Sequence, residues 1–230
     1  MLGHSPAGEW NRLAIEDAQN IVEAHAPSDY YRTMYRPYER LYLPQLVKMV
    51  DAMEPGRLIE IGPGNGTFAL WAASNGWQVD TVDSMAVGCF ITPEFLLKTG
   101  FSYNQCNIET EGLPDLEPAD LVVMGHVLGH LKYMPIRTLR AIAHKYLKPE
   151  GVFLTDNLDE HRQPWITDYA YCRWQDMPTD GPPTEAQNTC PFVEEELAQL
   201  LLLVFNRVEV WPDPMFPILW SKASHVRGEC

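Results

Sequence analysis

A short apolar run, Leu58-Ile-Glu-Ile61, stops at Gly62-Pro-Gly-Asn-Gly66, three glycines spaced G-x-G-x-G. That pattern describes a strand entering a nucleotide-binding turn. Glycine has no Cβ and accepts positive φ, so the backbone at Gly62, Gly64 and Gly66 can approach a ligand closely. A helix starting near Thr67 would aim its unbonded N–H groups at the same place. The expected ligand contains an adenosine.

Dinucleotide oxidoreductases place G-x-G-x-x-G at the same point, so the turn alone does not name the ligand. Two details narrow it. The last glycines lie one residue closer together, and a carboxylate, Glu60, sits two residues before the first glycine inside an apolar strand. The run Trp77-Gln-Val-Asp-Thr-Val-Asp83 reads as a second strand ending in an acid, where the ribose hydroxyls of a bound nucleoside would lie.

Further along come Asn107-Ile-Glu-Thr-Glu-Gly-Leu-Pro114, Ala119-Asp-Leu-Val-Val-Met-Gly-His-Val-Leu-Gly-His-Leu131 and Leu147-Lys-Pro-Glu-Gly-Val-Phe153. With Glu60 to Gly66 and Asp83, they fall in the order seen in class I S-adenosylmethionine-dependent methyltransferases. The chain resembles the small-molecule branch of that superfamily, similar to ubiquinone-biosynthesis-type enzymes. The resemblance implies S-adenosylmethionine as cofactor, S-adenosylhomocysteine as product and methyl transfer as the reaction. It implies that Glu60, Gly62, Gly64, Asn65 and Gly66 line the methionine and ribose side, with Gly125 and Tyr31 also at the cofactor. Asp83 would accept from the ribose hydroxyls, with Ser84 and Met85 beside it, and Asn107 and Ile108 would meet the adenine. Asn107 stands where the family often has an aspartate; its amide oxygen can still accept from an adenine amino group. His126 lies at the position nearest the transferring methyl, where an imidazole can act as base or serve as pocket wall.

Strand and helix signals alternate from Arg57 onward, which calls for an α/β fold with an open, doubly wound, mostly parallel, Rossmann-like sheet. Strands are expected near 57–62, 77–82, 102–106, 120–124 and 151–156, and helices near 66–75, 84–99, 130–147 and 193–203. A C-terminal antiparallel hairpin is expected from Phe205 to Trp211 and Met215 to Ser221, with Pro217 favouring an edge position. Residues 1–54 read as an N-terminal helical cap or lid, with helical spacing over 8–26 and a tyrosine- and arginine-rich stretch from Tyr30 to Tyr42. Residues 55–230 read as the methyltransferase domain.

About 158–191 the alternation breaks, and this stretch is expected to be an acceptor-site insertion. Asp156, His161, Trp165 and Tyr169, together with His130, are candidate acceptor contacts. Carboxylates beside aromatic faces suit an amine-bearing small molecule, and a solvated charged face with self-packed aromatics is the plainer alternative. His130 follows His126 by four residues, so the two could share a helical face; no third ligand is evident, and no metal is expected.

A chain of 230 residues, 46% hydrophobic, suits one catalytic domain with decorations. Seventeen basic against 31 acidic residues give a net charge of −14, the wrong sign for tracking a phosphate backbone, so nucleic acid is not an expected partner. No run is long enough to span a membrane, and the N-terminus does not read as a secretory signal. Five scattered cysteines without a C-x-x-C pair suggest reduced thiols, and a cytoplasmic location is expected. Two competing functions remain: a nicotinamide-dependent oxidoreductase, against which the glycine spacing and Glu60 argue, and a non-catalytic S-adenosylmethionine-binding regulatory module. The sequence leaves the acceptor and the oligomeric state open.

Overall fold

Arg57–Ile61 forms strand β1, and four of its five residues are buried, as a strand covered on both faces requires. β2 (Gln78–Asp83) pairs with it in parallel, Glu60 opposite Thr81 and Ile61 opposite Val82. β3 (Ser102–Gln105) pairs in parallel with β2, Asp83 opposite Gln105. The structure, a computed structural model, describes residues 10–26, 29, 31–131, 135–159, 192–216 and 218–228. They divide into two compact units, Met1–Asn107 and Ile108–Cys230.

The first unit begins with α1 (Ile15–His25), a π-helical turn at Tyr31–Tyr35 and α2 (Arg36–Asp51), which carries Pro44 inside it. α3 (Thr67–Ser74) follows the glycine turn and is buried on almost every side, consistent with its sequence TFALWAAS. α4 spans only Pro93–Thr99, whereas the sequence suggested a helix from 84. The reason is local. Thr92 caps the helix by accepting from Phe95 N at 3.2 Å, and Pro93 has no N–H to lose at the first helical position. Residues 84–92 form turns instead, with Gly88 at φ 102°.

In the second unit β4 (Ala119–Gly125) pairs in parallel with β5 (Leu147–Leu158). A 3₁₀ turn at Leu128–His130 and α5 (Pro135–Tyr146) connect them, so the expected helix at 130–147 is shorter at both ends. β5 starts directly after α5, earlier than Gly151, through a bulge opposite Ala119 and Leu121. α6 (Glu194–Leu202) precedes β6 (Phe205–Pro212) and β7 (Ile218–Val226).

β7 runs antiparallel to β5 on one side and to β6 on the other, so the edge strand of the hairpin is β6. This corrects the expectation of an edge near Pro217, which lies outside the described residues: the strand begins one residue later. Asp213 sets the connection, accepting from Met215 N (2.9 Å), Phe216 N (3.0 Å) and buried Trp220 Nε1 (3.0 Å). The seven strands thus have the mostly parallel α/β pattern with a C-terminal antiparallel hairpin that the sequence implies. Among the described residues no helix is long and apolar enough to cross a membrane.

Candidate functional site

β1 ends in a turn built on three positive-φ glycines, Gly62 (72°), Gly64 (54°) and Gly66 (78°). Gly62 N donates to Val82 O (2.8 Å) and Gly66 N to Pro63 O (2.8 Å), which folds the turn back onto the strands. At Gly66 a Cβ would lie 2.9 Å from Phe101 Cζ and 3.1 Å from Ile91 Cδ1. Glycine there is demanded by both conformation and space.

Asp83, at the end of β2, accepts from the backbone of Met85 (2.9 Å) and takes further backbone hydrogen bonds from Gly64 and Ser84. Burial pushes its carboxyl above the usual range despite those donors. It therefore braces the glycine turn. Ser84 and Met85 are exposed, and Tyr103 Oη donates to Met85 O at 2.8 Å. The Tyr103 phenol is pushed up by burial and by the Asp83 charge. Asn107, half-buried, lies just past β3, and half-buried Ile108 opens the second unit.

Glu60 is 7% exposed, and its Oε2 has no hydrogen-bond partner. Burial, then the charges of Glu39 and Asp83, push its carboxyl up to about 8. Asn65 is also buried, and its Nδ2 is a donor without a partner. An orphan acceptor and an orphan donor thus flank the glycine turn, where buried polar groups are ordinarily satisfied.

Glu39 did not emerge from the sequence. It sits on α2 at 3% exposure, accepting from Tyr31 Oη (2.6 Å) and from Thr67 Oγ1 (2.9 and 3.1 Å). Burial raises its carboxyl to about 7, opposed by these hydrogen bonds and one from Gln19. Tyr31 is itself raised above the usual phenol range by burial and by Glu39. The available signal was slight: an acid two helical turns beyond Tyr31 in a stretch otherwise rich in tyrosine and arginine.

The second unit holds a different arrangement. His126 follows β4 in the left-handed region, φ 54°, and its N–H donates to Asp156 O at 3.1 Å. Its Nδ1 makes an ion-pair contact with the carboxylate of Asp156, which is 1% exposed on β5. A Cβ at Gly125 would fall 3.2 Å from Asp156 Oδ1, so the small residue leaves room for that carboxylate. Backbone and side chain of one residue thereby fix the ring. His130 is exposed in the 3₁₀ turn, and His126 is not helical, so the two histidines do not share a helical face. His161, Trp165 and Tyr169 lie outside the described residues. Among the described residues no group of three or more His, Cys, Asp or Glu is placed to hold a metal.

A family model described as a methyltransferase domain matches residues 31–202. Ribosomal RNA small subunit methyltransferase C of Alcanivorax borkumensis is 32% identical over 132 residues, covering 52% of this chain and 40% of that protein. The match therefore spans about two fifths of that relative's length. The N-methyltransferase NodS from Bradyrhizobium japonicum, solved with S-adenosylhomocysteine, superposes with TM-score 0.60 at 16% identity, covering 90% of this chain and 98% of NodS. The DhpI complex with S-adenosylhomocysteine gives TM-score 0.60 at 17% identity, covering 92% and 96%. At these identities the structural likeness concerns the fold.

Proposed function

The chain belongs to the methyltransferase domain family, and we propose that it is an S-adenosylmethionine-dependent enzyme methylating an O or N nucleophile of a small-molecule acceptor. The cofactor fits the first unit on its own terms. The orphan Glu60 Oε2 calls for a cation and the orphan Asn65 Nδ2 for an acceptor, which the ammonium and carboxylate of an amino acid supply together. Gly62, Gly64 and Gly66 let the backbone approach it, and Asp83 faces the ribose hydroxyls. When bound, S-adenosylmethionine supplies an electrophilic methyl on a sulfonium.

What remains for the protein is to align the acceptor, exclude water and remove a proton where the nucleophile carries one. The observation that carries this reading is the His126–Asp156 pair. A carboxylate set against one ring nitrogen orients the imidazole, and an oriented imidazole can take the proton of a hydroxyl or ammonium nucleophile. Asp156, expected from sequence to touch the acceptor, serves in this reading to orient His126. Residues 158–191, with His161, Trp165 and Tyr169, select the acceptor, and residues 1–54 cap the cofactor.

The relative named for ribosomal RNA favours a second reading, in which the acceptor is RNA. The net charge of −14 opposes it, because binding a phosphate backbone depends on basic contacts. Incubation with radiolabelled S-adenosylmethionine and separate pools of phenols, amines and ribosomal RNA distinguishes the two. Label entering phenols or amines is the expected result; label entering RNA alone would replace the small-molecule reading.

A further inference from the structure

Glu39 on α2 and Glu60 on β1 are buried carboxyls of the first unit, and the charge of Glu39 acts on Glu60. Neither bonds a cationic side chain among the described residues. Glu39 is met by the neutral donors Tyr31, Thr67 and Gln19, and the nearby Arg36 is committed to Glu23 and Asn20. Glu60 is met by the backbone of Ala69 in the first turn of α3 and feels Asp83 besides Glu39. Arg40 acts weakly on the Tyr31 phenol. A purely structural role, Glu60 anchoring α3 and Glu39 tying α2 to it, explains the bonds that are made. It does not explain Oε2 of Glu60, buried with no partner while the charge of Glu39, bonded to the same first turn of α3, acts on it.

Two buried like charges with no cation bonded to either disfavour ionisation of both, even with the Arg36 charge lowering Glu39, so a proton is the resident cation. We propose that Glu60 and Glu39 form an exchange site in which the α-ammonium of the bound cofactor replaces that proton, so that cofactor binding releases it to solvent. The balance is simple. The carboxylic acid loses H⁺ to water and becomes a carboxylate paired with R–NH₃⁺, with no covalent bond to the ligand formed or broken. Burial and then the Glu39 charge keep the proton on Glu60 in the ligand-free protein, and Tyr31 and Thr67 hold Glu39 in place. The inference rests on the cofactor reading above and adds to it a second carboxylate and a linked proton.

Titration calorimetry of the full chain in two buffers of different ionisation enthalpy counts the protons released. The probes are S-adenosylhomocysteine, which has the ammonium, and 5′-methylthioadenosine, which lacks the amino-acid end. Release of roughly half to one proton is expected for the former near pH 7, falling by more than half near pH 8.5, with none for the latter. Glu39→Gln, which retains an acceptor for Tyr31 and Thr67, should still bind S-adenosylhomocysteine but move the pH at which proton release halves to a lower value; an unmoved half-point would remove Glu39 from the exchange. Glu60→Gln should weaken S-adenosylhomocysteine about tenfold or more and leave methylthioadenosine within about twofold. S-adenosylhomocysteine that binds with the same enthalpy in both buffers overturns the exchange and leaves the cofactor site standing. Equal proton release with methylthioadenosine overturns it too, and failure to bind either nucleoside overturns the cofactor reading as well.

Discussion

Glu60 and Asp156 are both nearly inaccessible strand carboxylates, one in each unit, and their surroundings differ in the respect that decides what a buried acid can do. Asp156 has its partner built in: the imidazole of His126 is set against it by the backbone as well as the side chain. Glu60 has an oxygen with no partner and two further acids acting on it, and its carboxyl is pushed up to about 8. Arg57 and Asp80, paired at 2.7 Å, show that the first unit can supply a cation to a buried acid. On the proposed reading, the contrast separates an acid that orients a neighbour from one that takes a ligand's cation.

The comparison breaks most visibly at His126. If its imidazole removes the acceptor proton, His126→Ala should lower kcat by roughly 10²-fold or more and erase the acidic limb of the pH–rate profile. Asp156→Asn should lower kcat about tenfold or more with little change in cofactor affinity, since the ring loses its orienting charge but stays in place. A limb that persists in His126→Ala would mean that another group titrates, and the second unit would lose its acid–base role.

Asp83 tests the first unit next. Replacing it with Ala removes charge-assisted hydrogen bonds and should weaken S-adenosylhomocysteine by about 1.5–3 kcal/mol, measured by calorimetry. Because Asp83 also braces the turn through Met85 and Gly64, a melting curve must accompany that measurement. Weakened binding with unchanged melting assigns Asp83 to the ligand; equal loss of both assigns it to the turn. Gly66→Ala should cost roughly 1–3 kcal/mol of stability, since it combines left-handed backbone with a Cβ pressed on Phe101. That is about 2–4 °C of melting temperature per kcal/mol in a chain this size.

The parts of this architecture that depend on neighbours in the chain were readable from sequence. β1, its glycine turn and β2 follow from an apolar run, glycine spacing and a terminal acid, all local properties. α4 was misplaced because nine residues of helical character before it lost to Thr92 capping and to Pro93. β7 begins later than the expected Met215 because the side chain of Asp213 holds Met215, Phe216 and Trp220, a constraint that leaves no local mark in the sequence. Glu39 was missed because its burial comes from packing against Thr67, 28 residues away. His126 and Asp156 were each singled out, but for separate tasks. Their pairing depends on β4 and β5 lying side by side, which no spacing in the sequence encodes.

The pH dependence of melting sharpens the contrast most, because it reads the state of Glu60 without any acceptor. With a folded value near 8 against an ordinary 4.5, Glu60 keeps its proton in the folded protein after the unfolded chain has released it. Stability from this group is complete below the unfolded value and lost as pH rises through the folded one, so the melting temperature should fall between about pH 5 and 8. One proton corresponds to on the order of 1 kcal/mol per pH unit across that window, about 2–4 °C. Glu39, raised to about 7, adds to the fall at the lower end. Glu60→Gln, neutral at every pH, should flatten the slope between about 7 and 8, and saturating S-adenosylhomocysteine should flatten it in the wild type by supplying the missing cation. A wild-type melting temperature that instead rises steadily with pH would show Glu60 ionised in the folded protein, and its counter-ion would then have to be sought within the chain.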